Sequence, residues 1–375
     1  MKLRTAVYVG VFASIVSIIA YTLFFGVSFS DIIAVGPAPF LLASIVSIAR
    51  LLVQGVRFHE LSKGINSNAS IKVGSATVAR MASEFTDLVV PSYAGGELVK
   101  IPWLVKKGFN LGQALLVAYL EVLFDVVIGG LISIIAALYL AARGAYVPAS
   151  ILLILSFLWI GFFAIMPWLV SRGKGALPKP IIRIISSIVG TRRAESFASK
   201  LSEVAVQSSH AAGTFFRRSK VVIAKVLLLT VVMVVLAGMI FWIIALGSGL
   251  QIDLLASILG VYVSYTFGAL PLTPGGSGLS EGGLGLFTSS LYGGQLWASI
   301  ITWRIISYHV PLLVTGIALL YLSRKELSKS LGQFCDSLIY QWKPSIPYQR
   351  IVTREQQFLV AGYPLNLMQT FARLM

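Results

Sequence analysis

The chain has 375 residues, of which 57% are hydrophobic and 12% charged, about half the charged fraction of a soluble domain. This composition excludes a soluble enzyme, a disordered chain and a secreted disulfide scaffold, and the continuous apolar runs exclude a membrane β-barrel, so we predict an all-α polytopic helical bundle in the cell membrane. Lys and Arg number 30 against 14 Asp and Glu, which in such a protein indicates cytoplasmic loops facing an anionic leaflet rather than binding to nucleic acid.

The chain opens with an apolar segment over 5–25, which follows Lys2 and Arg4. This segment is longer than a signal-peptide core and no small-residue cleavage site follows it, so we expect a retained helix with a cytoplasmic N-terminus. A second span is predicted over 40–58, and its basic end is also placed in the cytoplasm.

Toward the inner end of the second span, three polar residues share one helix face: Arg50, Gln54 and Arg57. Two interpretations stay open. Either these side chains line a polar path inside the bundle, or the two arginines extend to the headgroup region, as long basic side chains do near a helix end.

Residues 74–107 depart from an ordinary span. Their apolar first half is broken at Pro91, and Gly95-Gly96-Glu97 follows. Because basic residues flank both ends, the segment begins and ends on the same side, which predicts a re-entrant hairpin with its irregular backbone buried in protein or lining a wet cavity. Three ionisable residues at i, i+4 and i+7 form a stripe on the first half: Arg80, Glu84 and Asp87.

Two ordinary spans are predicted over 110–140 and 147–171. Glu121 and Asp125 lie one turn apart on the first of them, about 16 Å from its start and close to the membrane midplane. Residues 172–220 then hold ten Lys and Arg but only two Glu, so this loop is predicted to be cytoplasmic.

Within that basic loop, apolar residues fall roughly on one helical face, beside Lys200, Arg217 and Arg218. The pattern predicts an amphipathic helix at the membrane interface, and a solvated helical linker is the alternative. The residues of the face are Phe197, Leu201, Val204, Ser208 and Phe215.

A further span over 221–246 leads to an outer loop without basic residues. Residues 254–292 form a second interrupted segment, a last span covers 295–322, and the basic tail 324–375 is predicted to be cytoplasmic. Six full spans and two re-entrant hairpins within a membrane domain over 1–323 place every basic region inside. A pair of short helices that each cross the membrane also returns the chain to the side from which it started, so the sequence does not distinguish such pairs from hairpins.

The two interrupted segments resemble each other, since each has an apolar helix, a Pro break, a Gly-Gly pair and a carboxylate. From the number of crossings that precede each segment, the first enters the membrane from the cytoplasmic side and the second from the outer side. This predicts an inverted repeat in which broken helices meet near the midplane and form the binding site. Chance similarity between two loops rich in Gly and Pro is the alternative.

Six of the 14 acidic residues lie in predicted membrane segments, where a charge costs about 2.5–3.5 kcal/mol on the mildest scale. Such residues mark substrate or proton paths by default. The second interrupted segment also contains the glycine-rich turn over 274–278, and glycines let the backbone approach a ligand closely. Beside that turn, Arg304 would hold a phosphate or carboxylate. A purely structural alternative treats Arg304–Glu281 and Arg80–Glu121 as buried pairs that only hold the fold together. The candidate substrate-binding residues are Arg80, Glu84, Glu97, Glu121, Asp125, Gly275, Gly276, Glu281, Arg304 and Tyr308.

The motif Pro274-Gly275-Gly276-x-Gly278-x-x-Glu281, followed by Arg304-x-x-x-Tyr308-x-x-Pro311, resembles the transmembrane region of lysylphosphatidylglycerol synthases, a family that includes the flippase domain of MprF-type proteins. The stretch 80–97 is similar to the family's other characteristic stretch, and the resemblance covers about residues 5–322. It implies movement of anionic or modified lipids between leaflets. The functional positions that it implies are Arg80, Glu97, Glu121, Glu281, Arg304 and Tyr308.

The leading prediction is therefore a flippase or transporter for an anionic, aminoacylated or polyprenyl-phosphate-linked lipid, with membrane lipids as partners and no cofactor. About 50 residues follow Arg324, too few for the soluble aminoacyl-transferase domain of the synthases, so synthase activity is not expected. Secondary transport of a small anionic solute is the alternative. An intramembrane hydrolase using Ser277 and His309 is the weakest, because no third catalytic group or metal motif appears. The lone Cys335 allows no intrachain disulfide, and the sequence leaves open a homo-oligomer.

Overall fold

The computed structural model describes residues 26–90, 95–172, 191–270, 272–273, 275–292 and 296–324, with a few positions between 12 and 24. Within its helices, the side chains of 166–172, 191–203 and 205 are not described. Over the described residues the chain is helical and contains no strand. The elements are α1 (Phe29–Ile33), α2 (Pro37–Ile65), α3 (Val73–Val89), α4 (Glu97–Lys106), α5 (Leu111–Ala142), α6 (Tyr146–Arg172), α7 (Thr191–Arg218), α8 (Lys220–Gly247), α9 (Leu254–Gly268), α10 (Leu279–Tyr292), α11 (Trp297–Arg304), a π-helical turn (Ile305–His309) and α12 (Val310–Leu322).

Five helices in the described part of the chain are long and apolar enough to cross a membrane. They are α2, α5, α6, α8 and the continuous run Trp297–Leu322. Each corresponds to a span predicted from the sequence, whereas the predicted first span over 5–25 lies largely outside the described residues. The protein is thus an all-α polytopic membrane bundle, as predicted.

The second predicted span is longer in the structure than in the prediction. Gly36 has a φ of +86° and Pro37 is the first helical residue, a favourable helix start because proline's missing N–H would be unpaired there anyway. The helix then continues without a break to Ile65, well beyond the predicted end at 58. Arg50 therefore lies near the middle of α2 rather than toward one end.

The outer faces of the long helices are apolar. Large hydrophobic side chains on α2, α5, α6 and α8 are exposed, among them Leu41, Ile45, Leu131, Ile135, Phe157 and Leu228. In a soluble protein a large exposed apolar surface marks an interaction site. On a bundle of membrane-spanning helices the same kind of surface contacts lipid tails. Polar and charged side chains are instead gathered inside the bundle.

Two glycines allow helices to approach closely around that polar interior. A Cβ at Gly55 of α2 would lie 2.6 Å from Cα of Thr77 on α3. A Cβ at Gly238 of α8 would lie 2.9 Å from Cα of Ile258 on α9. Membrane helices use small residues in this way because van der Waals packing drives their association. The first approach brings the polar face of α2 within reach of α3.

Both predicted interruptions are present. The first separates α3, which ends at Val89, from α4, which begins at Glu97. The second separates α9, which ends at Gly268, from α10, which begins at Leu279, and in each case the two helices pack on each other. The prolines of the two breaks lie outside the described residues: Pro91, Pro271 and Pro274. The re-entrant path and the inverted symmetry stay predictions.

The basic loop contains the long helix α7, which packs on the bundle at its C-terminal end. Phe215 is buried, and its ring lies 2.9 Å from the position that a Cβ would take at Gly64 of α2. Ser208 Oγ donates a hydrogen bond of 2.9 Å to the carbonyl oxygen of Gly112 on α5. Two members of the predicted apolar face have side chains outside the described residues, Phe197 and Leu201. Contact of this helix with the membrane interface stays a prediction.

The last span contains the π-helical turn Ile305–His309, whose extra residue leaves backbone carbonyls to other donors. Ser47 Oγ on α2 donates to the carbonyl oxygen of Ile306 at 3.0 Å. His309 Nδ1 lies 3.2 Å from the carbonyl oxygen of Arg304. Turns of this kind are rare and often lie at functional sites. This one directly follows Arg304.

Candidate functional site

Nine ionisable side chains gather inside the bundle where α2, α3, α4 and α5 meet, and we call this group the charge cluster. Contacts between oppositely charged members link them into one network. Its basic members are Arg50, Arg57, Arg80 and Lys100, and its acidic members are Glu84, Asp87, Glu97, Glu121 and Asp125.

Arg80 and Glu121 form the centre of the charge cluster. Arg80 Nε lies 2.6 Å from Glu121 Oε1, and both residues are buried. The guanidinium also donates to Glu84 Oε2 at 2.8 Å and lies 3.8 Å from Asp87 Oδ2. These last contacts confirm the shared face that the i, i+4, i+7 spacing predicts, because all three residues belong to α3.

Glu121 is shared by three cations. Besides Arg80, Lys100 Nζ lies 3.1 Å from Oε2 and Arg57 NH2 lies 3.5 Å from Oε1. A carboxylate can accept several hydrogen bonds through its two oxygens, so one acidic residue can offset several neighbouring positive charges. Glu121 thereby ties α2, α3 and α4 to α5.

Arg57 is fully buried and pairs with Asp125 through both terminal nitrogens. The bond from NH2 to Oδ2 is 2.7 Å, NH1 contacts Oδ1, and NH1 also donates to Thr230 Oγ1 of α8 at 3.1 Å. Two parallel bonds between a guanidinium and a carboxylate are stronger and more directional than a single contact. Arg57 therefore belongs to the interior, and the interpretation in which it reaches for the headgroup region is wrong.

Lys100 is a member of the charge cluster that is missing from the predicted site residues. Its side chain is 2% exposed and its Nζ lies 2.9 Å from Glu97 Oε1. Because α4 begins at Glu97, the two residues are separated by three positions on one helix and share a face. That spacing, read together with the carboxylate of Glu121 on the next span, is the sequence signal that could have found it.

A short contact fixes α4 relative to α3 across the first interruption. The backbone N–H of Gly96 donates to Asp87 Oδ1 at 2.6 Å. A Cβ at Gly96 would lie 2.4 Å from Asp87 Oδ2, so only glycine allows this approach. Asp87 therefore holds the interrupted backbone in place while its other oxygen faces Arg80.

Two carboxylates place the charge cluster in contact with its surroundings. The side chain of Asp125 is 41% exposed and that of Glu97 is 31% exposed, whereas those of Arg57, Lys100 and Glu121 are each 2% exposed or less. With every group ionised, acidic members exceed basic members by one. Because charge is costly in a poorly solvated interior, that excess favours uptake of a proton or a cationic group by the charge cluster.

A second group of polar contacts surrounds the glycine-rich turn before α10, and we call it the turn cluster. Arg304 Nε lies 2.6 Å from Glu281 Oε1, and both side chains are 3% exposed or less. Arg304 NH2 donates to the carbonyl oxygen of Gly275 at 2.5 Å and lies 3.4 Å from Ser277 Oγ. The backbone N–H of Gly278 donates to Glu281 Oε2 at 2.7 Å. The ion pair thus holds the turn at both ends.

Tyr308 joins the turn cluster to the first interruption. Its ring lies under the guanidinium of Arg304, 4.3 Å from Cζ, and its hydroxyl donates to the carbonyl oxygen of Leu88 at 2.9 Å. Leu88 is in the last turn of α3, where helix carbonyls lack a helical partner. Gly275 has a φ of +57°, and a Cβ there would lie 2.3 Å from the Tyr308 ring and 2.7 Å from the Leu88 oxygen. The two interruptions therefore meet at Tyr308.

The structure distributes the ten predicted residues over these two clusters. The charge cluster holds five of them, and the turn cluster holds the rest, with Gly276 packed against the backbone of Gly268. Both ion pairs suggested as a structural alternative, Arg304–Glu281 and Arg80–Glu121, are present. Participation in substrate binding stays a prediction for every one of them.

The serine and histidine of the hydrolase alternative have other neighbours. Ser277 Oγ lies beside Arg304 NH2, and its carbonyl oxygen accepts a hydrogen bond from Thr273 Oγ1 at 2.7 Å. The His309 ring packs edge-on against Tyr308, and Nδ1 faces the Arg304 carbonyl. The contacts described for the two residues lead to Arg304 rather than to one another, which favours a role in shaping the turn.

Comparison with known proteins identifies a family and a relative that this chain resembles. A family model described as the lysylphosphatidylglycerol synthase TM region matches residues 7–315. A protein of Archaeoglobus fulgidus, described as a UPF0104 membrane protein, is 23% identical over 245 residues, which cover 64% of this chain and 74% of that protein. The family match takes in every residue of the charge cluster and of the turn cluster.

Proposed function

The chain belongs to the lysylphosphatidylglycerol synthase transmembrane-region family, and from this premise we propose that it moves a lipid with an anionic, aminoacylated or polyprenyl-phosphate-linked headgroup between the leaflets of a membrane. The resemblance recognised in the sequence is thereby confirmed, and the protein is a multi-pass membrane protein. The headgroup, the cell membrane as its location and the cytoplasmic termini are parts of the proposal.

One observation carries the proposal: a charged interior inside an apolar shell. The charge cluster and the turn cluster lie on helices whose outer faces are hydrophobic, and Tyr308 connects the two. A charged side chain within a membrane costs about 2.5–3.5 kcal/mol on the mildest scale, so such residues are tolerated where they pair or serve a path. A lipid needs this combination, because its headgroup crosses through polar groups while its tails remain in the apolar phase.

Each cluster has a distinct part in the proposed movement. In the turn cluster, Arg304 and the backbone of the Gly275 turn offer donors and a close approach for a phosphate. In the charge cluster, the half-exposed Asp125 and Glu97 offer negative charge for an ammonium group or an exchanged proton. A headgroup that carries both signs of charge would find partners for each. No catalytic step by this chain is part of the proposal.

The test is leaflet transfer of headgroup-labelled lipids in proteoliposomes. Wild type is compared with Glu281→Gln and Arg304→Ala, which remove one partner each from the turn cluster. Arg143→Ala is the matched control, because Arg143 is exposed and its guanidinium contacts Tyr139, which belongs to neither cluster. We expect transfer that depends on the headgroup, is lost in both cluster variants and is unchanged in the control.

Two outcomes would contradict the proposal. Wild-type transfer rates in both Glu281→Gln and Arg304→Ala would show that lipid movement does not depend on the turn cluster. Uptake of a soluble anion by folded wild-type protein, without movement of any lipid, would instead favour the secondary transporter that the sequence also allows.

A further inference from the structure

Arg50 lies near the middle of the long helix α2. It lies 13 residues after the start of α2 at Pro37 and 15 before its end at Ile65. At 1.5 Å per residue, each end is about 20 Å away, far beyond the length of the side chain. The sequence-based interpretation in which Arg50 reaches for the headgroup region assumes a helix that ends near residue 58, whereas α2 continues to Ile65.

Arg50 is also the basic member of the charge cluster with the weakest pairing. Arg57, Arg80 and Lys100 each have a carboxylate oxygen within 3.1 Å. Within the described part of the chain, Arg50 has one ion-pair contact, from NH2 to Glu84 Oε1 at 3.8 Å, and makes no hydrogen bond. The other oxygen of Glu84 already accepts from Arg80 and from Gln54. A guanidinium has five N–H donors, so Arg50 keeps several for another acceptor.

Two tyrosines of α9 stand beside this guanidinium. Tyr262 and Tyr265 are half-buried, their rings meet edge to face with centroids 5.5 Å apart, and both are electrostatic neighbours of Arg50. Tyr262 also packs on α5, 3.2 Å from the position of a Cβ at Gly129, one turn beyond Asp125. The side chain of Arg50 is 14% exposed and that of Asp125 is 41% exposed. These residues therefore lie on α5 and on two helices that pack against it, α2 and α9, and each side chain is partly exposed.

We propose that Arg50, with Tyr262 and Tyr265 beside it, docks the phosphate of the lipid that this protein moves. This site is additional to the turn cluster and rests on the proposed function. The planar guanidinium can donate two parallel hydrogen bonds to two phosphate oxygens, and tyrosine hydroxyls can donate to a third. The carboxylate of Glu84, 3.8 Å from Arg50 NH2, disfavours a second negative charge, so the site selects a phosphodiester with one negative charge over a phosphate with two.

Binding is measured separately from movement. Purified protein in a neutral detergent is titrated with phosphatidylglycerol, and tryptophan fluorescence or native mass spectrometry reports the bound lipid. Charge-assisted hydrogen bonds of this kind predict that Arg50→Ala weakens binding by about tenfold to a hundredfold. Arg50→Lys keeps the charge but loses the two parallel donors of the guanidinium, so its affinity should fall between those of wild type and Arg50→Ala. Tyr262→Phe and Tyr265→Phe should each weaken binding by less than Arg50→Ala does. Arg143→Ala binds as wild type does.

A second arm separates a lipid phosphate from a free one. Inorganic phosphate is added as a competitor, and a zwitterionic phosphatidylcholine replaces phosphatidylglycerol in parallel titrations. We expect weak competition by inorganic phosphate, and we expect binding of phosphatidylcholine to depend on Arg50 as well, because its phosphodiester carries the same single negative charge. Strong competition by inorganic phosphate at concentrations similar to that of the lipid would overturn the lipid assignment in favour of a soluble anion.

The inference and the proposed function fail in different ways. Equal binding of phosphatidylglycerol by wild type and by folded Arg50→Ala and Arg50→Lys overturns the docking site, whatever moves in proteoliposomes. Binding that depends on Arg50 in a protein that moves no lipid retains the docking site and overturns the flippase. If Arg50→Ala does not fold, Arg50→Lys and the two tyrosine variants decide the outcome, and wild-type affinity in all three counts against the site.

Discussion

Replacement of Glu121 by glutamine tests whether the charge cluster is held by one shared carboxylate. The substitution keeps the shape of the side chain and removes its negative charge. Arg80 at 2.6 Å, Lys100 at 3.1 Å and Arg57 at 3.5 Å then lose a common counter-ion in a buried site. The loss of one partner from a buried ion pair typically costs about 3–5 kcal/mol.

The contacts that remain place the expected cost at the lower end of that range. Arg80 keeps Glu84, Arg57 keeps Asp125 and Lys100 keeps Glu97. We therefore expect Glu121→Gln to lower the free energy of unfolding by about 3 kcal/mol. Chemical unfolding of the protein in mixed micelles, followed by tryptophan fluorescence, measures this change. Glu60→Gln is the control, because Glu60 pairs at 3.3 Å with a Lys225 whose side chain is 57% exposed, and its cost should stay below about 1 kcal/mol.

A second substitution distinguishes charge imbalance from lost packing. Lys100→Met in the Glu121→Gln background removes one of the unbalanced cations, so the double variant should be less destabilised than the sum of the two single variants, by about 0.5–3 kcal/mol. A cost below about 1 kcal/mol for Glu121→Gln alone, or strict additivity of the pair, would refute the idea that Glu121 compensates several cations at once.

Three further substitutions test close contacts in the bundle: two where the interruptions meet and one between α2 and α3. Gly275→Ala places a Cβ 2.3 Å from the Tyr308 ring at a φ of +57°, and we expect a loss of about 1–3 kcal/mol in thermal or chemical unfolding; near-neutral behaviour would show that the turn is free to move. Tyr308→Phe removes the hydrogen bond to the Leu88 carbonyl and should cost about 0.5–1.5 kcal/mol in the same assay, with an unchanged value speaking against that bond. Gly55→Val forces α2 away from Thr77, so lipid transfer should be lost in protein that still inserts, whereas retained transfer would indicate that the close approach is dispensable.

The bundle and much of its charged interior follow from patterns within single helices. Long apolar runs predict the spans because no other element satisfies the backbone in lipid. Helical spacing alone places Arg80, Glu84 and Asp87 on one face, and the structure confirms the contacts of Arg80 with both carboxylates. Even the pairing of Arg80 with Glu121 is foreseeable, because two buried opposite charges at similar depth have few other partners.

What the sequence could not provide depends on where helices end and which helices are neighbours. The apolar composition stops near residue 58 and therefore predicts that Arg50 lies toward a helix end, although α2 continues to Ile65 through its packing on α8 and α3. Lys100 becomes predictable only once α4 is known to begin at Glu97, because that start places both residues on one helix face. The bond from Tyr308 to Leu88 joins residues 220 positions apart, and no local pattern encodes such a contact.

The π-helical turn at Ile305–His309 sets the rotational phase between two halves of the last span. Upstream of it, Arg304 is aimed at Glu281, and downstream Leu312 and Leu319 pack into the core shared with α3. One residue of an α-helix corresponds to a rotation of about 100°, so a single deletion in this turn would direct one half correctly and the other away from its partners. The extra residue thus lets one helix satisfy two geometric demands that a regular α-helix could not meet together, and a homologue without it would have to change the residues on one half or the other.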